Sequence, residues 1–236
     1  MSKTMAVEVA TCEELQRQPE EYRVACEKLV ISHAINELQG ARVYDEPAIA
    51  LAPTPHAKWL TCRVAMEEYG HHVRFFELGR EMGIPAETML PERSAKRPLS
   101  IFDFPLKTWT EFCVIKMLGD LMEILQVEDL VQCSFQPLRN LARMTMPEER
   151  FHAQFGEDFC TDLCQSAAGR GAVQDAITRI APTLPAFFGR PGSKNNAVFR
   201  KWRLKRRTNE EMREDYRIRA KALVEDRMGL VLPAAM

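Results

Sequence analysis

The feature that most limits what this chain can fold into is a pentapeptide pattern that occurs twice. "EEYGH" (67–71) and "EERFH" (148–152) are both E-E-x-x-H, and both fall within long stretches of helical patterning. A helix advances about 100° per residue, so Glu68 and His71 lie about 60° apart on one face. Glu149 and His152 do the same. Two facing helices that each offer a Glu-x-x-His pair, with one more carboxylate from each of two further helices, form the inward-facing di-metal cradle of ferritin-like bundles.

The rest of the chain suits such a bundle. Long segments lack Gly and Pro and are rich in Ala, Leu, Glu, Arg and Met, which favour helix. Helices are predicted over 20–44, 57–82, 106–127 (with a continuation to 135 open), 138–168, 171–189 and 208–229. Thr208 and Glu211 fit a capping box at the start of the last one. The Pro-punctuated segment 45–57 reads as a connection. Segment 86–105 is long for a connection and is expected to cross the top of the bundle. Residues 1–18 are expected to be an N-terminal arm and 19–236 one domain, with no strand. The expected fold is therefore all-α: a ferritin-like four-helix bundle with additional C-terminal helices.

Two more carboxylates are needed. Glu37 precedes Glu68 by 68 − 37 = 31 residues and sits in the mostly apolar "AINELQGA". On the third helix, "KMLGDLMEIL" offers Asp120 and Glu123, which precede Glu149 by 29 and 26 residues. The longer interval matches the front half better and favours Asp120. Glu123, one turn on, suits a role orienting ligands. Anionic oxygens offset the charge of two ferrous or ferric ions and can bridge them, and imidazoles leave positions open to dioxygen. Glu67 and Glu148 stand four residues before their histidines, so spacing alone leaves them open as ligands. His72 has no counterpart, because Ala153 follows His152. His33 and His56 read as ordinary polar residues.

Charge and cysteine usage narrow the setting. The formal net charge of −1 gives no global field for nucleic acid or an anionic membrane. The seven cysteines form no C-x-x-C pair, which suits reduced thiols in a cytoplasm. The N-terminus lacks the apolar core of a signal peptide, and no apolar run approaches the ~20 residues that span a bilayer. "RKWRLKRR" (200–207) concentrates positive charge and is expected either as a solvated face or as a contact for phosphates or an acidic partner.

At these residues the chain resembles the catalytic alpha-subunit of the ring-1,2-phenylacetyl-CoA epoxidases, a family of bacterial di-iron monooxygenases with a ferritin-like fold. The resemblance runs from about Glu20 to Pro233 and is carried by "EEYGHH", "SIFDFPLKTWTEFCVIKMLGD", "EERFHAQFGEDFC" and "FFGRPGSKNNAVFRKWRLKRRTNEEMREDY". It places the ligands on Glu37, Glu68, His71, Asp120, Glu149 and His152, and so selects Glu68 and Glu149 over their neighbours. It implies two iron ions, which activate O2 and insert one oxygen atom into the ring of an aromatic acyl-CoA. It also implies electrons from a separate flavin/iron–sulfur reductase, and a complex with a related structural subunit or further copies of the chain. Other readings of the same site are an N-oxygenase, a ferroxidase-like enzyme or a metal-free structural subunit. The chain departs from the family in three places. Relatives continue beyond the position of Met236. They carry a lysine that can reach the metal pocket where this chain has Val64. Pro147 falls in what should be helix interior.

Overall fold

The computed structural model describes residues 8–234. Four long helices build the body: α2 (Glu20–Gly40), α4 (Pro55–Glu81), α5 (Trp109–Leu130) and α6 (Gln136–Leu163), preceded by the short α1 (Cys12–Gln16) and, between α2 and α4, α3 (Glu46–Leu51). The C-terminal helices α7 (Ala167–Ile180), α8 (Lys194–Lys201) and α9 (Asn209–Lys221) pack around this core. No strand is present among the described residues. Only an isolated bridge joins Val9 to Phe135. The fold is the all-α ferritin-like bundle with additional C-terminal helices.

Local chemistry starts the helices. Thr54, Thr108, Ser166 and Thr208 each accept a hydrogen bond from a first-turn backbone N–H, satisfying donors that have no partner within the helix. Thr108 with Glu111, and Thr208 with Glu211, form complete capping boxes. Pro147 lies inside α6, which continues through it. It is exposed, so the carbonyl it leaves without an intrahelical donor lies on the solvent side.

Three expectations are corrected. Segment 45–57 is mostly not a connection: α2 runs into a π-helical turn, Ala41–Asp45, and then into α3. Pro47 falls in the first turn of α3, where the chain passes from the π-helical turn into α-helix. The arm expected over 1–18 is described from Glu8 onward, and there Val9 and Leu15 are buried against the body; its first seven residues lie outside the described part. Finally, α8 forms where a loop was expected, capped by Ser193.

The bundle has an apolar cluster at each end. One combines Leu29, Val30, Phe75, Leu78, Ile124 and Leu138. The other combines Val64, Phe112, Val114, Met117, Leu118 and Phe155. Along the helices these two sets flank Glu37, Glu68, Asp120 and Glu149, so the polar centre sits midway. Gly156 sets the spacing of α5 and α6 there. A Cβ on it would lie 2.2 Å from the backbone nitrogen of Met117, so no larger residue fits. The connection after α4 closes the bundle through Ile101, which is buried, and Phe102, which packs on Tyr44.

Candidate di-metal centre

All six side chains expected as ligands converge in the middle of the bundle, and all are buried. Glu37 comes from α2, Glu68 and His71 from α4, Asp120 from α5, and Glu149 and His152 from α6. They form two overlapping groups of possible metal ligands: Glu37, Glu68, His71 and Glu149, and Glu68, Asp120, Glu149 and His152. Glu68 and Glu149 belong to both. Glu68 turns Oε2 to His71 Nδ1 at 3.5 Å and Oε1 to His152 Nδ1 at 3.1 Å. Glu149 turns Oε1 to His71 Nδ1 at 3.0 Å and Oε2 to His152 Nδ1 at 4.0 Å. These two carboxylates thus span the pair of imidazoles, as bridging ligands would, while Glu37 and Asp120 stand at the outer ends.

The donor atoms fit metal ions. His71 Nδ1, His152 Nδ1 and Glu149 Oε2 are buried and make no hydrogen bond, whereas Asp120 Oδ2 meets the ammonium of Lys116. Buried polar atoms without partners are rare, and three among the clustered side chains suit a cation. The opposite ring nitrogens are engaged. His71 Nε2 donates to Glu148 Oε2 at 2.8 Å, and His152 Nε2 donates to Glu67 Oε2 at 2.9 Å. Each accepting carboxylate is itself clamped: Arg74 Nη2 donates to Glu148 at 3.0 Å and Arg63 Nε to Glu67 at 2.8 Å. An ion pair on the outer nitrogen fixes the tautomer and leaves Nδ1 free to bind metal.

This settles the first glutamate of each E-E-x-x-H. Glu67 and Glu148 do not face the centre; each holds the histidine of the opposite helix, α4 to α6 and α6 to α4. His72 is structural, with Nδ1 2.7 Å from the Ala34 carbonyl of α2. His33 is closer to the centre than expected of an ordinary polar residue. It stacks on Phe75, and its Nδ1 is 3.8 Å from Glu37. Glu123 lies near both, in a third group with His33 and Glu37.

Sequence reasoning missed two residues. Lys116 Nζ is 2.6 Å from Glu68 and 2.8 Å from Asp120. Asp45, assigned to a connection, is buried 3.3 Å from the same nitrogen. The signal for Lys116 was a lysine four residues before Asp120 in the otherwise apolar "FCVIKML". Val64 is buried in apolar core, so the ammonium in this pocket comes from α5 rather than from α4.

The field of the centre follows from burial and these pairs. Burial raises the carboxyls of Asp120 and Glu149, against the pull of Lys116 and His71. Burial acts the same way on Glu68, but Lys116 and His152 override it and hold Glu68 well below the usual carboxylate range. Burial would lower His152, yet Glu68 pushes it up to about 9. Glu148 is held at about 2, because His71 and Arg74 outweigh burial.

A cavity of about 620 Å³ lies beside this centre, on the side of α2, α5 and α8. Leu29, Leu99, Phe187, Phe188 and Phe199 make its walls apolar, and Lys28, Lys96 and Lys205 also line it. Burial pushes Lys205 down to about 8. Asn36 and Glu123 line both this cavity and the small recess around Glu37, Glu68 and Asp120. The basic run 200–207 is mostly spent internally: Arg207 pairs with Asp129 at 2.8 Å and Asp215 at 2.9 Å, while Lys201 and Trp202 bind Glu21.

The chain is similar to known proteins. It matches the phenylacetic acid catabolic protein family over residues 1–236. It is 29% identical over 203 residues to one of the subunits of the 1,2-phenylacetyl-CoA epoxidase of Escherichia coli (strain K12). That match covers 84% of this chain and 65% of the relative, so the chain spans less than two thirds of the relative's length. With the match extending over its whole length, this chain belongs to the phenylacetic acid catabolic protein family.

Proposed function

We propose that this chain is the metal-bearing component of a di-iron, O2-dependent monooxygenase for an aromatic acyl-CoA, through phenylacetyl-CoA ring 1,2-epoxidation or a close relative of it. The observation that carries this reading is the pair of buried imidazoles whose inner nitrogens have no hydrogen bond and whose outer nitrogens are held by ion-paired carboxylates. Glu37, Glu68, His71, Glu149, Asp120 and His152 would hold two iron ions, Glu68 and Glu149 being common to both groups of ligands. When bound, the iron pair supplies the reductive activation of dioxygen. The chain's own residues do the rest. Glu67 and Glu148 keep the histidines oriented. The apolar walls of the cavity exclude water and suit an aromatic acyl group, and its lysines suit the phosphates of a CoA carrier.

Electrons would come from a separate flavin/iron–sulfur reductase. The chain would work in a complex with a related structural subunit or with copies of itself, in the cytoplasm. The name of the E. coli relative, one subunit of an epoxidase, supports an assembly of several chains. Among the described residues no helix is long and apolar enough to cross a membrane. The metal-free structural reading is disfavoured because all six positions keep side chains that can ligate metal.

The test is metal analysis joined to oxygen uptake. Anaerobic loading should give about two irons per chain; Glu68→Ala should lose both, and His152→Ala should lose at least the one that His152 would hold. Full loading of both variants would refute the ligand set. O2 uptake stimulated by aromatic acyl-CoAs, with a suitable reductase present, would support the monooxygenase. O2 uptake driven by free ferrous ion alone would favour a ferroxidase.

A further inference from the structure

A further group of donors stands between the cavity and the recess around the centre, and of the six ligands it includes Glu37 alone. His33, Glu37 and Glu123 place donor atoms within 4.8 Å of one another. Two ligands on opposite sides of one transition-metal ion, at bonds of about 2.0–2.2 Å, lie about 4.4 Å apart, so one ion fits among the three after a small contraction. His33 and Glu37 are 8% and 7% exposed. Asn36, 9% exposed, adds an amide Oδ1 that is buried and makes no hydrogen bond, and Glu123 Oε2 is likewise buried without a partner. Asn36 and Glu123 line both the cavity and the recess, while His33 lines the cavity and Glu37 the recess.

Glu37 faces both ways. Its Oε1 is 3.8 Å from His33 Nδ1, and its Oε2 is 3.7 Å from His71 Nδ1. One oxygen is turned to the outer group and the other to the centre, so a small rotation of this carboxylate would carry a bound ion from one to the other. The donors suit a ferrous ion: one imidazole, two carboxylates and an amide oxygen. The lysines of the cavity do not occupy them. Lys205 donates to the amide of Gln126, Lys28 to that of Asn195 and Lys96 to the carbonyl of Arg97, all neutral acceptors. Glu123 therefore stays open to an incoming cation. Once the centre is full, its two ions repel a third beside them, and Glu37 is engaged inward. The outer group is thus suited to hold an ion in passing rather than to keep it.

We propose that His33, Glu37 and Glu123, with the amide oxygen of Asn36, form an entry site that takes a divalent metal ion from the cavity and hands it to the centre through Glu37. The site fills before the centre and empties into it. It therefore governs the rate of loading and not the final content of the centre. This inference rests on the di-metal reading of the centre.

The experiment mixes metal-free protein with Co2+ anaerobically and follows visible absorption, which changes when imidazole and carboxylate replace water on the ion. In the wild type the loading rate should rise with Co2+ and then saturate, because an ion binds at the entry site before it moves inward. His33→Ala and Glu123→Gln should each slow loading at low Co2+ by about tenfold or more, the range in which residues next to a metal site act, and the rate should no longer saturate. Both should still reach about two ions per chain, with the final spectrum and the affinity of the wild type. His33→Gln, closer to histidine in size, serves if the alanine variant does not fold. Wild-type loading rates in both positions' variants would overturn the assignment. So would a lower final content or affinity with saturation intact, since His33 and Glu123 would then only support Glu37. Absence of Co2+ binding in the wild type and every variant would instead overturn the di-metal reading beneath it.

Discussion

The two halves of the centre share an outer layer and differ in the inner one. In the α2/α4 half, His71 is held by Glu148 and Arg74, and Glu37 meets only imidazoles. In the α5/α6 half, His152 is held by Glu67 and Arg63, but Asp120 meets the ammonium of Lys116. The repeated motif accounts for the likeness, because each E-E-x-x-H contributes one inner glutamate, one histidine and one outer glutamate for its neighbour. The difference comes from residues outside the motif. A sequence repeat can thus produce equal geometry while unrelated side chains make the electrostatics unequal.

The largest expected effects separate shared from private ligands. Glu149→Ala should remove both irons, because Glu149 belongs to both groups. Glu37→Ala or Asp120→Ala should each leave about one. Iron analysis distinguishes the cases, and equal losses from all three would break the two-half description.

Next come the glycines that set helix spacing in each half. Gly156→Ala meets the backbone of α5 and should destabilise by about 1–3 kcal/mol, read as a lower melting temperature. Gly79→Ala on α4 meets side chains rather than backbone, the movable end of Met89 and, at 3.3 Å, Val30 Cγ1, and should cost less. Comparable losses at the two positions would show that the helix spacing is not held by backbone contact.

The outer carboxylates test the likeness directly. Glu67→Gln and Glu148→Gln should each weaken iron binding by about ten- to a hundredfold, and by similar factors. Very different factors in anaerobic titrations would mean that the crossed pairs are not equivalent.

The smallest effect is one of pH. Carboxylates hold imidazolium in the metal-free centre, with His152 pushed up to about 9. Loading must expel that proton, so iron affinity should rise with pH up to about 9 and then level off. The stabilisation that the imidazolium pairs give the metal-free fold has the opposite dependence. It is complete below the ordinary histidine range and lost as pH rises through about 9. Release of protons on loading in weak buffer checks the sign; a pH-independent affinity would contradict it.

Much of the fold was legible because helices announce themselves locally. Caps such as Thr108 with Glu111, and Thr208 with Glu211, lie three residues apart, so chain spacing alone reveals them. The π-helical turn at Ala41–Asp45 was not legible, since Pro47 reads as a break unless it is known to open a helix. The convergence of the six acids and histidines was legible from two i, i+3 pairs and the similar intervals to Glu37 and Asp120. The roles of Glu67 and Glu148 were not, because four-residue spacing suits both a ligand and an outer partner.

What the sequence determined by itself is the content of each helix face: apolar ends, a polar middle, and Glu-x-x-His pairs turned the same way. These follow from helical periodicity, which is a property of neighbours in the chain. Only the tertiary structure decided which helix lies beside which. That choice paired His71 with Glu148 and His152 with Glu67, brought Lys116 and Asp45 to Glu68, and let Gly156 draw α6 against α5. The physical reason is range: a helix sets side-chain direction over a few residues, whereas the balance of buried charges depends on groups that meet only when the bundle closes.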